Sequence, residues 1–267
     1  MSQQDQSGKA TADEVRGGAG RAIDILFLYP KDMNIYGDFG NLLTITRRLS
    51  LYGYEPLVHY CNQGDPWPGQ VDMVLGGGGQ DEGQKKIIDD LQDRAEGLRS
   101  LADQGVPMLV ICGLYQLFGR YFQATDGTRM EGIGIFDAYT VGQDERMIGN
   151  LVEESDQFGS IIGYENHSGQ THLGTGTQPL GRVVHEGTGN NGKDLTEGAR
   201  TQNVIGSYMH GSVLPKNPAV ADFLIRTAAE HRHGSFSPLQ TDAQRAELAH
   251  LAELAQQARK IAATRPR

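Results

Sequence analysis

The chain has 267 residues, of which 36 are glycine and only two are cysteine, and its formal net charge is −9. This length suggests one large domain with appendages, because a domain commonly takes about 100–200 residues. The acidic balance argues against a nucleic-acid binder, which needs a basic surface, and two cysteines exclude a disulfide framework. No apolar run reaches the roughly 18 residues of a membrane span, so we expect a cytoplasmic protein without a membrane anchor.

The first half of the chain alternates between short apolar runs and amphipathic stretches. Residues 1–21 are small and polar and lack the apolar core of a signal peptide, so we expect a disordered N-terminal arm there. The apolar runs predict strands at 23–29, 55–60, 71–75 and 108–111, and helical spacing predicts helices at 41–51, 84–101 and 114–122. This order predicts an α/β fold, a parallel sheet with helices on both faces.

The second half has a different pattern. Glycine, asparagine and threonine interrupt the apolar stretches between 132 and 209, which is typical of short antiparallel strands and turns. A helix is expected at 218–231, so we assign the main domain to 22–232. Residues 233–267 are interpreted as a linker and an amphipathic helix, whose apolar stripe docks on its own domain or on a partner.

Cys112 is the candidate nucleophile. It directly follows the predicted strand at 108–111 and precedes a helix, a position at the carboxyl edge of a parallel sheet where open α/β folds place their sites. A sharp strand–helix turn of this kind underlies nucleophile elbows. The alternative is a buried structural cysteine. Cys61 is expected in a loop after a strand, without such a setting, and we interpret it as inert.

Five segments carry a resemblance to a known family. They read ICGLYQ at 111–116, NIYGDFGN at 34–41, GYENHSG at 163–169, GNNG at 189–192 and GSYMHG at 206–211. Taken in chain order, they resemble the cobyric-acid-synthase-like branch of class I glutamine amidotransferases, and within it the glutaminase subunits of lipid II isoglutaminyl synthases. The resemblance covers about residues 23–232 and implies a flavodoxin-like fold, a mostly parallel sheet flanked by helices.

The resemblance implies roles for several residues. Cys112 would attack the carboxamide of glutamine, and His210 would be the base that activates it. Gln116 is similar to the position that contacts glutamine in this class. Arg146 is the candidate for the α-carboxylate, because a guanidinium can grip a carboxylate with two hydrogen bonds; an ordinary surface arginine is the alternative. Asn166 and His167 are secondary candidates for positioning.

The glycine run at 76–79 follows a strand and lacks the Gly-Lys-Ser/Thr ending of a phosphate-binding loop. We therefore expect an oxyanion hole formed by the N–H groups of Gly77, Gly78 and Gly113, with a plain tight turn as the alternative.

The sequence departs from the class pattern at three positions. Val110 and Leu114 stand where many class I enzymes have glycine, so the turn at the cysteine must be less compressed. Ser212 stands where a glutamate usually orients the histidine, and nothing acidic follows before Asp222. An imidazole without such a partner is a poorer base. Either a remote carboxylate of this chain or another polypeptide completes the triad, and the resemblance implies the second.

The resemblance implies hydrolysis of L-glutamine to glutamate and ammonia, without a metal or cofactor. Because no ATP-binding motif is visible, a MurT-like subunit of the Mur-ligase type would activate the acceptor, the D-glutamate α-carboxylate of the lipid II stem peptide. We expect a heterodimer, placed transiently at the inner membrane face by its lipid-linked acceptor. The alternatives are the glutaminase component of cobyric-acid or cofactor synthesis, although no fused synthetase domain is apparent, and a noncatalytic scaffold that binds a partner.

Overall fold

The structure is a computed structural model that describes residues 20–185 and 187–264. Apart from its last two residues, the predicted N-terminal arm lies outside the described residues.

The first half alternates strands and helices as predicted. Its elements are β1 (Ala22–Leu28), α1 (Phe39–Leu51), β2 (Glu55–Cys61), β3 (Met73–Gly76), α2 (Asp81–Asp93), α3 (Ala95–Asp103), β4 (Met108–Ile111) and α4 (Gly113–Leu117). The helix expected at 84–101 is divided at Arg94, whose guanidinium donates to the Asp90 carboxylate and the Asp65 carbonyl. The four strands are confirmed; the apolar runs of β1, β3 and β4 form the core, whereas most of β2 is half-buried or exposed.

The helix predicted over 114–122 is wrong beyond Leu117. The chain turns there because Gly119 passes close to the next part of the chain, where a Cβ would lie 2.8 Å from the Ala138 carbonyl oxygen. The N–H of Arg120 donates to that same oxygen at 2.7 Å. Residues 121–123 therefore continue as a strand rather than as a helix.

The second half is rich in strands. They are β5 (Tyr121–Gln123), β6 (Arg129–Glu131), β7 (Ala138–Ser155), β8 (Gly159–Leu173), β9 (Gly181–His185), β10 (Thr196–Glu197), β11 (Ala199–Thr201), β12 (Val204–Ser207) and β13 (Met209–His210). Most are short, as expected, but β7 and β8 pair over almost their whole length as a long antiparallel hairpin. Three helices follow, α5 (Val213–Lys216), α6 (Pro218–His233) and α7 (Asp242–Ala262).

Two sheets share these strands. The first has the order β11-β12-β4-β3-β1-β2 and is parallel except for β11. The second is built around the β7–β8 hairpin, and β13 pairs with β8. The chain thus leaves the first sheet after Ser207 and joins the second at Met209. This crossing brings the end of β13 over the carboxyl edge of β4.

Helix α7 lies on its own domain. It begins at Thr241, which forms a capping box with Gln244, and it contacts α1, α5 and β8. Near its end, Arg259 donates to the Asn217 amide oxygen at 2.7 Å and to the Ser160 carbonyl at 2.8 Å. The division of the chain at residue 233 stays a prediction. Within the described ranges, none of the helices is long and apolar enough to cross a membrane.

Candidate active site

Cys112 lies at a strained turn between β4 and α4. Its backbone has φ 49° and ψ −103°, a combination that side-chain-bearing residues rarely adopt. Its N–H donates to the Ser207 carbonyl at 2.8 Å, which ties the turn to β12. Strain of this kind persists only where the surroundings hold it, and it recurs at functional sites. The turn has the geometry of a nucleophile elbow.

The bulky residues around the cysteine are accommodated by glycines on neighbouring strands. Val110 pairs with Gly76 on one side and with Gly206 on the other. A Cβ at Gly76 would collide with Leu114, and a Cβ at Gly206 would collide with Tyr115. The space that other class I enzymes obtain from glycines beside the cysteine is therefore supplied by the adjacent strands.

His210 is brought to the cysteine by β13. Both side chains pack against Gly78, where a Cβ would lie 2.6 Å from His210 Cε1 and 3.1 Å from Cys112 Cβ. The imidazole is fully buried, and its Nε2 atom has no hydrogen-bond partner among residues 20–185 and 187–264. The predicted nucleophile and base are thus adjacent, although their roles remain predictions.

A carboxylate of this chain lies behind the imidazole. Asp38 is buried, and its Oδ1 is 3.3 Å from His210 Nδ1. Its other oxygen, Oδ2, accepts the Gly78 N–H at 2.7 Å. Asp38 belongs to the segment 34–41, but sequence reasoning gave it no role. The signal was its place in the loop that follows β1, on the side of the sheet edge that also carries the cysteine.

Ser212, at the position where a glutamate is expected, contacts the loop after β1 instead of His210. Ser212 donates from Oγ to the Gly37 carbonyl at 2.5 Å and packs against Gly40, so it holds the loop that carries Asp38. Asp222, the first acidic residue after it, instead forms an ion pair with Arg48. The resemblance placed the orienting carboxylate on a partner subunit; in this structure Asp38 already occupies that place.

The charge state of His210 follows from these neighbours. Burial lowers the pKa of His210, but the negative charge of a Cys112 thiolate and the hydrogen bond that the ring donates to Asp38 outweigh it and raise the pKa to about 10. At neutral pH the ring is therefore an imidazolium whenever the sulfur is negative. An imidazolium beside a thiolate is placed to donate a proton to a leaving group.

The glycine loop after β3 corrects one prediction. The Gly78 N–H is bound to Asp38, so its assignment as a free oxyanion donor is wrong. Gly79, the last residue of the same glycine run, lines the cleft instead. A Cβ at Gly113 would lie 3.1 Å from Gly79 N, so these two backbones meet. Gly77 packs against the Met33 carbonyl and does not line the cleft.

A cleft of about 310 Å³ opens at the cysteine. Its lining includes the predicted residues Cys112, Gln116, Arg146, Asn166 and His167. It also includes the carboxylates at the start of α2, Asp81 and Glu82. The cleft therefore presents a guanidinium and carboxylates together, which suits a zwitterionic ligand.

Gln116 is part of a buried network behind the cysteine. Its Oε1 accepts from Gln84 Nε2 at 2.8 Å, and its Nε2 donates to the Tyr208 hydroxyl at 3.1 Å. Gln84 Nε2 also donates to the Gly113 carbonyl at 3.0 Å. This network fixes the first turn of α4; contact of Gln116 with glutamine stays a prediction.

The secondary candidates differ in their surroundings. Asn166 Oδ1 accepts from Arg146 Nε at 2.6 Å, at the mouth of the cleft. His167 is buried, donates from Nδ1 to the Gly169 carbonyl at 2.8 Å and stacks on Tyr208 with ring centroids 3.5 Å apart. Its packing favours a structural role over a catalytic one.

With this geometry established, comparison with known proteins identifies the family. Residues 24–218 match the CobB/CobQ-like glutamine amidotransferase domain. The chain belongs to this family. The predicted family and the α/β fold class are therefore confirmed.

Relatives of this CobB/CobQ-like chain include GatD subunits and a cobyric acid synthase. It is 37% identical over 211 residues to the lipid II isoglutaminyl synthase (glutamine-hydrolyzing) subunit GatD of Staphylococcus aureus strain N315, covering 79% of this chain and 86% of that one. The GatD subunit of Streptococcus pneumoniae strain R6 is 36% identical, covering 79% and 82%. A cobyric acid synthase of Pelotomaculum thermopropionicum is 29% identical over 74% of this chain, but over only 39% of its own length.

The fold of the CobB/CobQ-like chain is also found in solved structures. A crystal structure of a glutamine amidotransferase aligns with a TM-score of 0.52, covering 76% of this chain and 98% of that one. Because the two sequences are only 16% identical, this likeness concerns the fold alone.

Proposed function

We propose that this chain hydrolyses L-glutamine to L-glutamate and ammonia as the glutaminase subunit of a lipid II isoglutaminyl synthase. The observation that carries the proposal is that Cys112, which lines the cleft, lies beside His210, whose imidazole contacts Asp38 behind it. The assignment to lipid II amidation rests on the GatD relatives, which are 36–37% identical over most of both chains.

The first chemical step is acyl transfer to the sulfur. The Cys112 thiolate attacks the carboxamide carbon of glutamine, and the negative oxygen that forms is stabilised by the N–H groups of Gly113 and Gly79. His210 donates its Nε2 proton to the carboxamide nitrogen, the C–N bond breaks and ammonia leaves. Asp38 holds the opposite side of the ring throughout.

The second step regenerates the enzyme. Water attacks the γ-glutamyl thioester while the neutral His210 removes its proton, and the C–S bond breaks to release glutamate. The proton stays on the imidazole and the sulfur leaves as a thiolate, so the starting charges are restored.

The lining of the cleft supports an amino acid as the substrate. Arg146 would pair with the α-carboxylate, and Asp81 and Glu82 would attract the α-ammonium group. Because the reaction occurs at the side-chain amide, binding both α-groups orients the amide toward the sulfur.

The assignment of the ammonia acceptor rests on the GatD relatives. Amidation of a carboxylate in water is uphill and needs activation, which we assign to a MurT-like Mur-ligase subunit that uses ATP. Its substrate would be the D-glutamate α-carboxylate of the lipid II stem peptide, and such a lipid-linked acceptor would bring the complex to the inner face of the membrane.

The test compares glutamate release by the purified full chain with Cys112→Ala and Cys61→Ala variants. We expect the isolated chain to hydrolyse glutamine, because Asp38 orients His210 without a partner. Cys112→Ala should abolish the activity, while Cys61→Ala, the matched control on β2, should retain it. Equal rates for wild type and Cys112→Ala would remove the enzyme proposal.

The acceptor is tested separately by adding a co-purified MurT-like subunit, ATP and lipid II. Amidated lipid II should appear only with both subunits and should be lost with Cys112→Ala when glutamine is the nitrogen source. Amidation that persists with Cys112→Ala and glutamine would contradict the assignment, whereas added ammonia should bypass the variant.

A further inference from the structure

Tyr36 lies against the catalytic base in an unusual conformation. Its backbone has φ 54°, in the left-handed region that costs a bulky residue roughly 1–2 kcal/mol. Its ring packs edge-on against His210, with centroids 4.9 Å apart and planes at 71°. Nearly half of the side chain, 44%, is nevertheless exposed. A strained and exposed aromatic residue is held there by specific contacts rather than by burial.

The hydroxyl of Tyr36 is connected to the cleft. It accepts a hydrogen bond from Asn166 Nδ2 at 3.1 Å, and Asn166 Oδ1 accepts from Arg146 Nε at 2.6 Å. The orientation of the amide follows from chemistry, since a guanidinium can only donate and must face the amide oxygen. The three side chains come from the loop after β1, from β7 and from β8.

Arg146 has unused donors at the end of this chain of contacts. Its two terminal nitrogens have no hydrogen-bond partner within the part of the chain that the structure describes, and the residue lines the same cleft as Cys112. A carboxylate could therefore bind the terminal nitrogens while Nε stays on Asn166. Binding there would restrict Arg146, and through Asn166 it would restrict Tyr36.

We propose that Tyr36 is a positioning residue that couples occupation of Arg146 by the glutamine α-carboxylate to alignment of the His210 imidazole. The inference rests on the proposed function. The ring of Tyr36 limits the tilt of the imidazole from the solvent side, while Asp38 fixes it from Nδ1. The hydroxyl link makes this alignment depend on a bound α-amino acid, so the base is best placed when the substrate is present.

The first test uses Tyr36→Phe, which keeps the ring but removes the hydroxyl, with two substrates. One is glutamine, and the other is a γ-carboxamide without an α-carboxylate. One lost hydrogen bond should lower kcat for glutamine by about 5- to 10-fold, and the rate with the carboxylate-free amide should not change. Tyr36→Leu removes the ring as well and should lower both rates.

Tyr164→Phe is the matched control. Tyr164 pairs with His210 across β8 and β13, and its side chain is also partly exposed. Loss of its hydroxyl should leave both rates unchanged. If Tyr36→Phe slows both substrates equally, or leaves the glutamine rate unchanged, the coupling is refuted.

A double-mutant cycle with glutamine decides the matter even if the carboxylate-free amide reacts too slowly to measure. Asn166→Ala breaks the same link, so adding Tyr36→Phe to it should cause no further loss. Independent, multiplying losses would overturn the proposal. Failure of the proposed function is distinguishable, because the wild-type chain would then release no Cys112-dependent glutamate.

Discussion

Replacing Asp38 with asparagine tests the triad most sharply. The Gly78 N–H, 2.7 Å from Asp38 Oδ2, needs an acceptor, so the new amide keeps its oxygen there. Its NH₂ group then faces His210 Nδ1, which must accept instead of donate. The imidazole is forced into the tautomer with hydrogen on Nε2, which cannot take a proton from the cysteine.

The expected loss can be bounded. General acid–base catalysis contributes about 10²–10⁴-fold, and the 3.3 Å separation of Nδ1 and Oδ1 is long for a charge-assisted hydrogen bond. We therefore expect kcat to fall about 100- to 1000-fold, or about 3–4 kcal/mol in the barrier. KM should change little, because Asp38 does not line the cleft.

The pH dependence gives a second readout. Asp38 helps to raise the pKa of His210 to about 10, so its loss lowers that pKa toward the ordinary 6.5. The imidazolium is then lost at lower pH, and the alkaline limb of the kcat profile should move to lower pH. A merely structural role for Asp38 would lower activity without this movement.

The assay is steady-state glutamate release, with Asp24→Asn as control. Asp24 accepts from His59 at 2.6 Å at the other end of β1, so its variant removes a comparable carboxylate–histidine contact away from the cleft. It should retain activity. An Asp38→Asn protein that folds and keeps kcat within about threefold of wild type would refute the reasoning. Full recovery on adding the partner subunit would favour a partner-supplied carboxylate instead.

Three further predictions concern the site and the core. Gly78→Ala should abolish glutaminase activity, because its Cβ would lie 2.6 Å from the imidazole, whereas Gly69→Ala, with open space around it, should be silent in the same assay. Burial, and then a second buried carboxyl nearby, raise the pKa of Glu153. The free energy of unfolding of the wild type therefore falls as pH rises above the ordinary pKa of 4.5. Glu153→Gln should flatten the dependence of Tm on pH, and an unchanged slope would contradict this. Asp222→Asn should cost about 1–3 kcal/mol in denaturant unfolding through its broken ion pair with α1, with kcat unaltered; a large loss of kcat in folded protein would mean that Asp222 acts in the site.

Local patterns were sufficient to predict the strands of the first sheet. β1 and β4 are short apolar runs that end at a turn, and their burial follows directly from composition. The helix expected over 114–122 failed because its end depends on Gly119 meeting Ala138, a contact with a later strand. The long β7–β8 hairpin was missed because polar residues interrupt its apolar pattern.

At the site, too, features set by local sequence could be predicted, and those set by contacts between distant segments could not. Cys112 is visible in sequence because strand, cysteine and helix are consecutive. Asp38 is not, because its role arises only when the loop after β1 meets a histidine 172 positions away. The room for the Leu114 side chain likewise depends on Gly76 in a neighbouring strand, because a Cβ there would collide with it. Pairing between distant segments is set by tertiary packing, which no local pattern encodes.

The central claim is that one sulfur atom carries the glutamyl group. The direct measurement is peptide mapping by mass spectrometry after treatment with a chloroketone analogue of glutamine, with and without excess glutamine. The account predicts a single adduct on the peptide that contains Cys112, in step with loss of activity and prevented by glutamine. Complete inactivation with Cys112 unmodified, or with the adduct on Cys61, would contradict it.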